Sequence, residues 1–73
     1  MGCYQIAYAE RRKNPDAYGN ILKPWHVYDE AFSINDAKLK YDQFLCNHQD
    51  IYDVEIFDIE NIKRIEYHMA SVE

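Results

Sequence analysis

The apolar positions of this 73-residue chain follow a period of two, then a helical period, then a period of two again. From Cys3 to Glu10 the chain alternates, with Tyr4, Ile6 and Tyr8 on one side and Gln5, Ala7 and Ala9 on the other, as a half-buried strand does. Pro24 opens a second such run at a position where a missing N–H is tolerable, with Trp25 and Val27 facing one way and His26 and Tyr28 the other. Between Ser33 and His48 the pattern changes: Ile34, Ala37, Tyr41, Phe44 and Leu45 recur at helical spacing, and Asn35, Asp36, Lys38 and Asp42 occupy the opposite face. Alternation returns over Ile51 to Asp58 and again over Ile62 to Met69. The predicted order is strand-strand-helix-strand-strand.

Local signals punctuate these runs. Glu10 to Leu22 contains Asn14-Pro15-Asp16 and Tyr18-Gly19-Asn20, a turn-rich composition that predicts a long hairpin loop. Ser33 is placed to cap the free amides of the helix, with Asp36 three residues on in the capping-box position. Asn47 is the expected left-handed terminator. A second hairpin turns at Ile59-Glu60-Asn61, and the tail from Ala70 to Glu73 is expected to fray. With no internal repeat, linker or low-complexity stretch, residues 1–73 read as a single domain.

One helix covers only one face of a four-stranded, mainly antiparallel sheet, so the expected fold is a two-layer α+β ββαββ. Matching parities puts Tyr4, Ile6, Tyr8, Trp25, Val27, Tyr52, Val54, Ile56, Ile65 and Tyr67 under the helix. The far side then presents Ala7, Ala9, His26, Tyr28, Asp53, Glu55, Phe57, Arg64, Glu66 and His68.

Size makes that far side matter. A domain this short buries about 60% of its unfolded surface, and seven of its hydrophobic residues are Tyr, whose polar tip suits a half-exposed position. Small scaffolds commonly add disulfides, a metal or a partner. Cys3 and Cys46 are too few for a disulfide framework, and without a signal peptide the chain is expected in a reducing cytoplasm with two free thiols. The Gly2-Cys3 start lacks the Ser or Thr of an acylation signal, since position 6 is Ile. No apolar run approaches the roughly 20 residues of a membrane span. Leu39 and Cys46 lie off the core stripe and widen the apolar arc of the helix, which points to a homodimer as one way to complete burial.

The net charge of −5 hides an uneven distribution. Residues 1–27 carry four basic side chains against two acidic, a net +2, and residues 28–73 carry four against eleven, a net −7. So acidic a chain is a poor general binder of nucleic acid, which needs clustered Lys and Arg. Runs of acid are most often solvated faces, and imitation of nucleic acid is the sharper reading.

Chemistry-bearing patterns are sparse. Cys46 and His48 stand two apart on a helix and point in different directions, so they do not share an ion. His26 and His68 are expected on the open face, where a metal or acid-base role is the alternative to two exposed strand histidines. Gly2 and Gly19 build no phosphate loop, and no nucleophile elbow is present. The expectation is a chain without enzymatic activity, metal or cofactor. One basic segment stands out: Arg11, Arg12 and Lys13, beside Tyr18 and Trp25, combine guanidinium forks with aromatic rings and form a candidate site for a nucleotide.

The expected partner surface is the far side of the sheet. There Tyr28 and Phe57 form the aromatic centre, ringed by His26, Asp53, Glu55, Arg64 and Glu66. The segments Tyr28-Asp29-Glu30-Ala31-Phe32-Ser33 with Asp36-Ala37, Tyr41-Asp42-Gln43-Phe44-Leu45 and Ile51-Tyr52-Asp53-Val54-Glu55-Ile56 resemble those of short phage-encoded accessory proteins over roughly residues 25–68. The resemblance implies a protein made in an infected bacterial cell that binds and disables a host or defence protein by occupying its surface. A protein–protein interaction module of that kind is the leading expectation, with nucleotide binding or sequestration at the basic loop as the alternative.

Overall fold

The structure is a computed structural model that describes residues 2–48 and 50–71. Strand β1 (Tyr4–Glu10) pairs antiparallel along both edges, with β2 (His26–Ala31) on one side and β3 (Tyr52–Asp58) on the other. Strand β4 (Lys63–His68) joins outside β3, which gives one sheet in the order β2-β1-β3-β4. Helix α1 (Ile34–His48) connects β2 to β3 and lies over β3, β1 and β2. The fold is the expected α+β ββαββ.

The helix begins where its sequence says. The Asp36 N–H donates to Ser33 Oγ at 3.2 Å, so Ser33 is the cap. The Asp36 carboxylate turns to Lys40 at 3.4 Å. The far end differs from expectation: α1 runs past Asn47 to His48, and the left-handed residue that follows is Asp50, at φ 63°. Buried Ala37, Tyr41 and Phe44 face Ile6, Ala31, Val54 and Ile56, with Tyr4, Tyr8, Ile34, Leu45, Tyr52 and Ile65 packed around them. This is the predicted helical stripe set on the predicted faces of the two central strands.

The edge strands depart from it. Pairing between β1 and β2 slips by one residue at Tyr28, because Ile6 opposes Asp29 and Ala7 opposes Val27. Between β3 and β4 the slip falls at Ile65, since Ile56 opposes Glu66 and Phe57 opposes Arg64. Each slip is a β-bulge, and one extra residue exchanges the faces of everything beyond it. Trp25, Val27 and Tyr67, expected under the helix, therefore lie on the open side. His26, Tyr28, Glu66 and His68, expected on the open side, lie on the helix side. Edge strands favour bulges because a local twist there disturbs only one ladder and blunts the exposed edge.

The tail is also better held than its composition implies. Ala70 is buried, its N–H donates to Asp53 Oδ1 at 2.9 Å, and the Ser71 N–H donates to the Asp50 carbonyl at 3.0 Å. The fraying expected of Val72 and Glu73 concerns positions outside the described residues.

Candidate functional site

On the open side the sheet is closed at one end by a charged cluster. Asp53 points away from the helix and is fully buried. Arg11 grips its carboxylate in a two-pronged pair, Nε at 3.0 Å and Nη2 at 2.7 Å, and the Tyr67 hydroxyl and Ala70 N–H donate to the same group. Trp25 stands edge-on to Tyr67 at 6.1 Å, and the Arg64 guanidinium lies 4.2 Å from the centre of the Tyr67 ring. Burial pushes the Asp53 carboxyl up, but its hydrogen bonds from Arg11, Tyr67 and Ala70, with the Arg11 charge, outweigh burial and hold it below the usual carboxylate range. Burial raises the Tyr67 hydroxyl to about 12, reinforced by its bond to the Asp53 carboxylate. Tyr67 thus keeps its proton at neutral pH and Asp53 keeps its charge. Asp53, expected as a partner contact, is an internal post.

Beside this cluster the loop between β1 and β2 folds into a shallow bowl. An isolated bridge joins Arg11 to Leu22, the Arg12 N–H donates to the Ile21 carbonyl at 2.8 Å, and the Lys23 N–H donates to the Glu10 carbonyl at 2.9 Å. At the tip, Asp16 Oδ1 accepts the N–H groups of Tyr18 and Asn20, each at 2.9 Å, and these bonds lower the Asp16 carboxyl. Gly19 supplies the positive φ of 83° that this turn requires. The bowl is open to solvent, has a volume of about 720 Å³ and is lined by Arg11, Arg12, Lys23 and Trp25, with Asp16 and other loop residues. Three of the sequence-predicted ligand residues, Arg11, Arg12 and Trp25, come together here. Lys13 and Tyr18 do not line the bowl, and Tyr18 projects into solvent.

The predicted partner patch is divided. Phe57, Glu55 and Arg64 do share the open side, where the Arg64 Nε donates to Glu55 at 2.7 Å. Tyr28 packs edge-on against Phe44 of the helix at 4.9 Å, His26 lies against Tyr8 at 5.5 Å, and Glu66 stands opposite core residue Ile56, so these three leave the patch. Val27, 55% exposed and opposite Ala7, takes a place in it. At the adjoining turn Ile62 is 78% exposed and sits at φ 54°, a left-handed conformation that a β-branched side chain resists. The turn is braced by Asp58, whose carboxylate accepts from the Asn61 N–H at 3.1 Å and Nδ2 at 2.8 Å. Sequence reasoning took Ile62 as a strand residue. The Asp58-Asn61 spacing across the turn was the signal for its conformation.

Other candidates stay apart. His26 and His68 belong to strands on opposite edges of the sheet and do not meet. Among the described residues no group of three or more His, Cys, Asp or Glu is placed to hold a metal ion. Cys3 Sγ donates to Glu60 Oε1 at 3.2 Å, and that bond raises the thiol. Leu39 and Cys46, expected off the core stripe where they widen the apolar arc of the helix, are both exposed on the outer side of α1. Among the described residues no helix is long and apolar enough to cross a membrane. Comparison of the chain with models of known families, with curated proteins and with solved structures returns no match.

Proposed function

We propose that this chain is a non-enzymatic module that binds one protein partner with the β3–β4 hairpin and the open sheet face beside it. Ile62 carries the reading. An isoleucine that is both exposed and held in a left-handed turn is unfavourable twice over for the isolated fold, and such outliers gather at functional surfaces. Half-buried Phe57 supplies further apolar area on β3, exposed Val27 adds more across the open face on β2, and the Glu55–Arg64 pair gives a polar rim, the composition of a binding hot spot. The sequence resemblance to phage accessory proteins supports a bacterial partner, a host or defence protein, met in the cytoplasm of an infected cell and inhibited by occupation of its surface.

The test is affinity purification of the tagged protein from bacterial cells beside its Ile62→Glu and Phe57→Glu variants, each first shown to be folded by circular dichroism. The proposal requires a partner that comes down with the parent chain and is lost from both variants. Retention of every partner by both folded variants places binding on another surface. Light scattering of the same three samples reads whether the partner is a second copy of the chain.

A further inference from the structure

The bowl under the β1–β2 loop has no part in the proposed protein-binding surface, and its chemistry differs from it. Its lining holds three cations, Arg11, Arg12 and Lys23, against one carboxylate, Asp16. Two of those cations are already matched: Arg11 by buried Asp53, and Lys23 by Glu10 at 3.1 Å. Arg12 is matched only loosely: its Nη2 stands 3.9 Å from Asp16 Oδ2, an ion pair beyond hydrogen-bond length, while Asp16 Oδ1 accepts the Tyr18 and Asn20 N–H groups. Arg12 Nε is shielded from solvent and has no acceptor, although the side chain as a whole remains 31% exposed. A guanidinium with unmet donors in a partly desolvated wall favours an oxyanion, and its fork matches the paired oxygens of a phosphate.

Trp25 supplies the second element. It lines the same bowl, half-buried, and its edge-on contact with Tyr67 anchors the indole in place before any ligand arrives. A fixed indole is a stacking platform for a planar ring at little ordering cost. The volume of this open bowl, about 720 Å³, falls within the roughly 300–1,000 Å³ of small-molecule sites. We propose that this bowl binds a small phosphorylated ligand bearing an aromatic ring, a free nucleotide by chemical class, with Arg12 holding the phosphate and Trp25 stacking on the ring. A long nucleic acid fits less well, because residues 28–73 carry a net −7.

Trp25 is the chain's single tryptophan, so its fluorescence reports on this bowl alone. The experiment titrates the full chain with mono-, di- and triphosphates of adenosine, guanosine, cytidine and uridine, with adenosine and guanosine, and with inorganic phosphate, while following that emission. Saturable quenching by at least one nucleotide is expected, with none from the unphosphorylated nucleosides and no change in emission from inorganic phosphate. Arg12→Ala should weaken the nucleotide by about tenfold or more, the scale of a lost charge-assisted contact, and Lys13→Ala, outside the bowl, should bind as the parent does. The absence of saturable quenching by every nucleotide overturns the proposal, and so does equal binding by a folded Arg12→Ala variant. Because Arg12→Ala removes a surface side chain while its backbone N–H still bonds Ile21, folding is checked by the melting curve without ligand.

Discussion

On the helix side of the sheet, Phe44 sits at the meeting point of Tyr8, Tyr28, Tyr52 and His48, with ring centres 3.9–5.9 Å away. On the open side, the buried position is a carboxylate, Asp53, surrounded by Arg11, Tyr67 and the Ala70 N–H. The same two central strands are thus closed by two different chemistries. Apolar packing asks only for volume and shape, and tolerates adjustment by neighbouring rings. A buried charge asks for donors at fixed points, so it ties together the loop, β3, β4 and the tail in one arrangement. The helix side supplies most of the burial and the open side sets where the loop and the tail sit.

The comparison is broken most severely from the helix side. Phe44→Ala should cost about 4 kcal/mol, against a total stability of about 4–11 kcal/mol for a chain of this length, and urea unfolding should find a third or more of the parent's stability gone. If Phe44→Ala is mild, the aromatic cluster is not the main source of stability.

Next in size is Asp53→Asn. Removing one member of a buried charge pair leaves Arg11 uncompensated and should cost about 3 kcal/mol. Its pH profile separates the two faces. The Asp53 carboxyl is lowered in the fold, so its contribution is complete above the ordinary value of about 3.9 and is lost as pH falls through its lower folded value. Tyr67 is raised to about 12, so its contribution is complete below about 10 and is lost as pH climbs through the raised value. Urea melts across pH should show both limbs in the parent. In Asp53→Asn the alkaline limb should move toward lower pH, and the acid limb should shrink to what Asp16, Asp29 and Asp58, also lowered, still supply. An unchanged profile would mean that the cluster adds no stability.

The smallest effect runs in the other direction. Ile62→Asn relieves the left-handed strain and should raise stability by about 1 kcal/mol in a thermal melt. Ile62→Asn should also weaken partner binding if Ile62 is an anchor, the trade expected of residues kept for function rather than fold. A variant that is both more stable and fully competent in binding would remove Ile62 from the interface.

Much of this was legible in the linear pattern. The Ser33 cap, the stripe Ile34, Ala37, Tyr41, Phe44 and Leu45, and the inward faces of β1 and β3 all follow from period and turn chemistry. So did the gathering of Arg11, Arg12 and Trp25 near one loop, because they lie close in sequence and a hairpin returns on itself. The edge strands were misread. A bulge has no distinctive residue when its extra position is Tyr28 or Ile65, and one inserted residue in each edge strand places Trp25, Val27, Tyr67, His26, Tyr28, Glu66 and His68 on the opposite face. Asp53, between Tyr52 and Val54, reads as the polar side of an alternating strand.

The sequence by itself determined which segments become strands and helix, and which side of the central strands meets the helix. Both depend on near neighbours, through backbone preference and side-chain period. The tertiary structure alone decided that Asp53 is a buried post and not a surface contact. Its partners Arg11 and Tyr67 stand 42 and 14 residues away along the chain, and only the register of three strands brings their donors to one carboxylate.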